Sequence, residues 1–213
     1  MAPLLACGTP AQAAGGHHAV EDAALLEPRQ CQLETWVDRE RGGARTLWHA
    51  GPACRLGAVE VGLNLDRLDL DGAGHSTLAG VQLKWAHAVA EGWGAGVVVG
   101  LARQDRAPNF LGTALVLPLT WQVSETLQAH ANIGCDFRPG QRDSHRAGLA
   151  LEWAPNAWSF VVERFREGDA NFWRAGTRWA PTPTISIDLS RARDLQRGAP
   201  AGWTLGFSWV LER

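Results

Sequence analysis

Trp203-Thr204-Leu205-Gly206-Phe207-Ser208-Trp209-Val210-Leu211 decides the fold. Trp203, Leu205, Phe207, Trp209 and Leu211 share one parity, while Thr204, Gly206 and Ser208 hold the other. Successive side chains of a strand point to opposite faces. One face of this strand is therefore aromatic and apolar, and the other small and polar. A soluble sheet buries Trp and Phe and turns charge to water. Here the same pattern recurs along the chain, with no helical stretch to cover the apolar face. That is the pattern of a transmembrane β-barrel, whose outside meets lipid.

Working back along the chain, strands are predicted at 29–39, 45–55, 58–69, 77–88, 92–103, 111–122, 125–137, 145–153, 157–166, 171–179, 184–192 and 202–212. The fold class is all-β: a single antiparallel up-and-down transmembrane barrel of about 12 strands, an even number as such barrels have. Val59, Val61, Leu63 and Leu65 oppose Glu60, Gly62, Asn64 and Asp66; Ile185, Ile187 and Leu189 oppose Ser186, Asp188 and Ser190. Charge falls on the face that lipid does not see. A sandwich would alternate too, but would show its charged face outside and need a partner sheet.

The connections decide between these. Short ones at 56–57, 89–91, 123–124, 154–156 and 180–182 alternate with longer polar ones at 71–76, 104–109, 139–144, 167–170 and 194–201. Gly42-Gly43 breaks the rule by being tight. Short periplasmic turns and longer outer loops are the barrel arrangement. Trp153, Trp158 and Trp179 flank short turns, as an aromatic girdle would.

The chain has 213 residues with 24 Gly, 11 Trp, no Tyr and a formal net charge of -2. The near-neutral balance leaves no electrostatic footprint for nucleic acid. No apolar run approaches the roughly 20 residues of a membrane helix. A barrel needs none, because closed strand pairing satisfies every backbone group. Residues 1–13 read as a signal-peptide remnant with a small-x-small site at Ala11-Gln12-Ala13, and Leu4-Leu5-Ala6-Cys7 has the form of a lipoprotein box. Residues 14–28 show no strand alternation and read as a periplasmic N-terminal segment, and 29–213 as the barrel.

His17-His18-Ala19-Val20-Glu21-Asp22-Ala23, then Glu27-Pro28 and Gln32-Leu33-Glu34, then Gly80-Val81-Gln82-Leu83-Lys84, Val161-Val162-Glu163 and the final strand around Gly206 to Trp209 follow one another along the chain. In this order they resemble the outer-membrane barrel family named for the MetA pathway of phenol degradation, many of whose members are described as transporters. The resemblance implies passage of small compounds, hydrophobic or aromatic ones included, across the outer membrane of a Gram-negative cell. The partners expected are outer-membrane lipid, the barrel-assembly machinery and a small-molecule solute, with no nucleic acid and no cofactor.

Parity assigns an inward, lumen-lining set: Glu34, His49, Glu60, Asp66, Lys84, His130, Asp136, Arg138, Arg146, Glu152, Glu163, Arg174, Arg178 and Asp188. Such a mixed lining is either a selective pore, where charged rings choose what passes, or a self-neutralising network filling an occluded, structural barrel. Glu163 facing Arg174 or Arg178 is the pair to examine first. His17, His18, Glu21 and Asp22 have metal-ligand chemistry, but adjacent histidines on a non-periodic segment are ordinarily solvated, and no metal site is expected. Lipid hydrolysis is the rival class. Asp143-Ser144-His145 is its one sequence cue, without a Gly-x-Ser-x-Gly elbow, and no enzyme is expected.

Gly42-Gly43 is a two-residue turn signal that sets hairpin register. With those glycines at the tip, Cys54 lands opposite Cys31. Directly opposed strand residues have Cβ atoms about 4.5–5.5 Å apart, and an exported protein meets an oxidising compartment. A disulfide between Cys31 and Cys54 is therefore expected, with Cys135 left single.

Overall fold

The computed structural model describes residues 17–196 and 201–212, so the signal remnant, the Cys7 box and part of the last loop lie outside the described residues. Twelve strands follow one another: β1 Gln30–Glu40, β2 Arg45–Leu56, β3 Val59–Leu70, β4 Gly74–Ala90, β5 Trp93–Gln104, β6 Phe110–Ser124, β7 Leu127–Phe137, β8 Ser144–Trp153, β9 Trp158–Glu167, β10 Ala170–Thr182, β11 Ile185–Asp194 and β12 Ala201–Glu212. Each pairs antiparallel with its neighbours, and β1 pairs with β12 to close the barrel. Closure leaves no edge strand. Among the described residues, no helix is long and apolar enough to cross a membrane.

The alternation sets the faces as read. Leu149 is 65 % exposed on the outside, whereas Thr204 and Glu163 are each 1 % exposed on the inside. A water-soluble barrel has the opposite arrangement, with apolar residues within. Ten of the eleven tryptophans stand exposed on the outer face, and Trp36 alone turns inward. Seven of the ten gather at the short-turn rim, where Trp93 stacks on Trp121 at 5.3 Å and Trp158 on Trp179 at 5.9 Å. This is the girdle position, where an amphipathic ring sits at headgroup level.

Two connections read as longer loops are tight. β4 begins at Gly74, so 71–73 suffices where 71–76 was expected; β9 and β10 meet across Gly168 and Asp169. Gly72, Gly74 and Gly168 have φ of 72°, 77° and 60°, a left-handed conformation that glycine adopts without strain. Polarity marks a loop in a soluble sheet. A barrel strand that extends past the apolar band carries polar residues and keeps its ladder.

Cys31 and Cys54 are register partners across the β1–β2 hairpin and are joined by a disulfide. Cys135 is free. Alkylation of envelope-isolated protein without reductant should label Cys135 and spare Cys31 and Cys54. Mass spectra showing both of the latter alkylated would contradict this bond.

Candidate functional site

Thr204, Gly206 and Ser208 of β12, Ser186 and Ser190 of β11 and Gly148 of β8 all face inward. Such small side chains leave room inside the wall, and the chain's own residues 17–28 occupy it. Glu163 of β9 is the principal anchor. Its carboxylate accepts the backbone N–H of Ala19 (3.2 Å) and of Val20 (3.1 Å), meets His18 Nδ1 at 3.3 Å, and is bridged to Arg174 of β10 at 3.1 Å. Arg174 also donates to the carbonyl of His17. Val20 is fully buried against Ala150, Val161 and Phe165. A Cβ on Gly148 would come within 2.6 Å of the Val20 side chain, so glycine there makes space for the segment.

The segment is then tied to the opposite wall. Lys84 of β4 donates to Asp22 at 2.6 Å and to Glu21 at 3.5 Å. Thr120 accepts the N–H of Ala23 at 2.8 Å and is linked to His130 at 2.9 Å. Glu60 accepts the N–H of Leu26 at 3.0 Å, and Arg55 donates to the carbonyl of Leu26 at 2.7 Å. Backbone groups without a sheet partner thus find barrel side chains, as buried backbone must. The sequence places 14–28 apart from the barrel; the described part is a partial plug within it.

Beneath the plug lies a second layer, the Arg178–Asp188 ion pair at 2.7 Å with His130 set 3.7 Å from the Glu152 carboxylate. The candidate ligand atoms of His17, His18 and Asp188 lie within 4.8 Å of one another, the one such group among the described residues. Asp188 is engaged by Arg178 and His18 by Glu163, and two guanidinium groups stand beside the cluster. That arrangement balances charge without a dication.

The remaining interior is a cavity of about 1110 Å³. Its lining includes Gln30, Glu60 and Val210 near the short-turn rim, Glu40, Arg138 and Asp194 near the other, and plug residues such as His18 and Glu21. Eleven carboxylates and six Lys or Arg side chains line it. Several pair: Arg45 with Asp38 at 2.9 Å, His49 with Asp66 at 2.6 Å, Arg146 with Asp136 at 2.9 Å and Arg138 with Asp136 at 3.8 Å. Trp36 stacks on His49 with centroids 4.6 Å apart.

Of the fourteen residues assigned inward by parity, ten line this cavity: Glu34, His49, Glu60, Asp66, Lys84, Asp136, Arg138, Arg146, Arg174 and Arg178. His130, Glu152, Glu163 and Asp188 are inward but buried in the plug and ion-pair layers. Glu163 is the register partner of Arg174, while Arg178 faces Asp188. Trp36, Asp38 and Arg45 were not singled out; Trp36 and Asp38 share parity with Glu34, a signal that finds them. Ser144 and His145 are successive strand residues and point to opposite sides of the wall, so they do not converge as nucleophile and base.

A family model described as uncharacterised conserved protein UCP029691 matches residues 3–208. No curated protein matches the sequence. Among solved structures, the KdgM porin superposes with a TM-score of 0.70 at 7 % identity, covering 84 % of this chain and 98 % of that one. The NanC porin gives 0.67 at 10 %, covering 83 % and 98 %. The toluene transporter TbuX of Ralstonia pickettii gives 0.57 at 11 %, covering 89 % and 92 %. At these identities the likeness is one of fold.

Proposed function

The chain belongs to the family of uncharacterised conserved protein UCP029691 and has the closed-barrel fold of the KdgM and NanC porins, and from this we propose that it is an outer-membrane channel for small solutes, narrowed by its own residues 17–28. One observation carries the reading: a charged cavity of about 1110 Å³ whose lining includes residues near both rims. A filled structural barrel has no need of such a space. Excess carboxylate along a pore favours cations over anions, and eleven against six gives this lining a net negative character.

The solute class implied by the resemblance to the phenol-degradation family, small aromatic compounds, belongs to the same proposal. Supporting it are the Trp36–His49 stack, which offers a flat face to a ring, and the shared fold of the toluene transporter TbuX. The carboxylate excess adds a preference for neutral or cationic rings over aromatic acids.

Planar-bilayer recordings test the proposal. In a KCl gradient the zero-current potential should carry the sign of cation preference, and liposomes should swell faster in small amines than in carboxylates of equal size. Anion preference would overturn the assigned selectivity. No conductance and no swelling would overturn the channel itself, leaving the occluded structural barrel.

A further inference from the structure

The outer wall is chemically lopsided. At the short-turn rim it carries Trp and aliphatic residues. At the other rim, six arginines point outward from one arc of the barrel: Arg164 and Arg166 of β9, Arg191 and Arg193 of β11, Arg39 of β1 and Arg67 of β3. Their outward aim follows from register, since they share parity with the exposed Val162, Leu189 and Leu65. The arc is continuous, because β1 closes on β12. Among the described residues, Asp69 is the one acid on the same face of those strands and is paired with Arg67 at 3.0 Å, while Asp169 of the β9–β10 turn is paired with Arg166 at 3.5 Å.

Tryptophans interleave with these arginines. Arg164 and Arg193 are the two register partners of Trp173, and Arg191 and Arg39 those of Trp203. The guanidinium of Arg164 lies 5.9 Å from the Trp173 ring and that of Arg191 5.3 Å from the Trp203 ring. Strands are about 4.8 Å apart, so Arg39 and Arg191 flank Trp203 about 10 Å from each other. Next to them a groove of about 470 Å³ is lined by Val37, Thr46, Trp48, Leu189 and Trp203, together with Arg39 and the Arg67-paired Asp69. Cationic heads over an apolar groove match one kind of molecule: an anionic headgroup attached to an acyl chain.

We propose that this arc binds a phosphorylated lipid of the surrounding leaflet, with phosphates on Arg39 and Arg191 and an acyl chain in the groove beside Trp48. A guanidinium fork matches a phosphate in geometry and charge. Trp at headgroup depth supplies the amphipathic platform. The inference takes the barrel to be membrane-embedded; binding is measured in detergent, so its failure is separate from failure of the channel reading.

The test uses the refolded full chain in neutral detergent, titrated with a bisphosphorylated glycolipid of the lipid A type and followed by native mass spectrometry. Expected is a bound lipid whose affinity falls by about tenfold or more when its phosphates are removed. R39Q/R191Q should weaken it similarly, R164Q/R193Q should weaken it through the second tryptophan, and R103Q, outside the arc, should change it less than about twofold. Heat-modifiable gel mobility identifies variants that have folded. Equal binding of the phosphate-free lipid would overturn the proposal, as would equal effects of R39Q/R191Q and R103Q in folded protein. Displacement of the lipid by inorganic phosphate at equal concentration would overturn it too, by showing a free-phosphate site.

Discussion

Glu163→Ala should loosen the plug and raise single-channel conductance. The carboxylate is 1 % exposed and receives His18, two backbone N–H groups of the segment and Arg174. Deleting one partner of a buried charge pair costs about 3–5 kcal/mol, because the other charge stays buried and unpaired. Here most of that cost falls on the plugged state, since with the segment withdrawn Arg174 can be reached by water. Glu163→Gln keeps an acceptor for the N–H groups and should show a smaller rise. Proteolysis of the reconstituted barrel gives a parallel reading: cleavage within residues 17–28 should be faster in the alanine variant. Unchanged conductance together with unchanged protection of the segment would remove Glu163 from the role of anchor.

Ile187→Arg should destabilise the barrel, because a cation on the lipid face costs up to about 2–4 kcal/mol at the bilayer midplane and less toward the girdle. Ile187 is exposed on the outer wall in the middle of the apolar stretch of β11, opposite Trp179 and Phe207. Alternation alone makes its inward neighbour Ser186 the natural low-cost control. The fold rules that out, because Ser186 is only 2 % exposed and an arginine there would displace its neighbours. Gln82 of β4, which lines the cavity, is the appropriate control, and Gln82→Arg should cost much less. Urea unfolding from lipid vesicles compares the two. Equal penalties would mean that the faces are assigned the wrong way round.

Whatever repeats with period two is legible in the sequence. In Trp203 to Leu211 every second side chain is large and apolar, and a single-residue slip would send all of them into the lumen. The tip at Gly42-Gly43 fixes the register that places Cys31 opposite Cys54, because turn geometry is local. The plug was not legible for the opposite reason. Residues 17–28 have no period, and their partners are remote: Val20 and Glu163 are 143 residues apart. What the segment leaves in the sequence is the space made for it, in inward positions such as Gly148 and Gly206 that are smaller than a bare wall needs. Tight connections at 71–73 and 168–169 were hidden because polar residues continue a strand beyond the apolar band as readily as they end one.

The central claim, that the apolar face meets lipid and the polar face the lumen, is tested most directly by tryptophan fluorescence. The protein is reconstituted into vesicles of brominated phosphatidylcholine, whose bromines quench within the acyl region. Ten of the eleven tryptophans are exposed on the outer wall. Most of the emission should therefore be lost to bromolipid, while aqueous acrylamide should remove little. Emission that survives in bromolipid and is quenched by acrylamide would contradict the account, because those tryptophans would then stand in water.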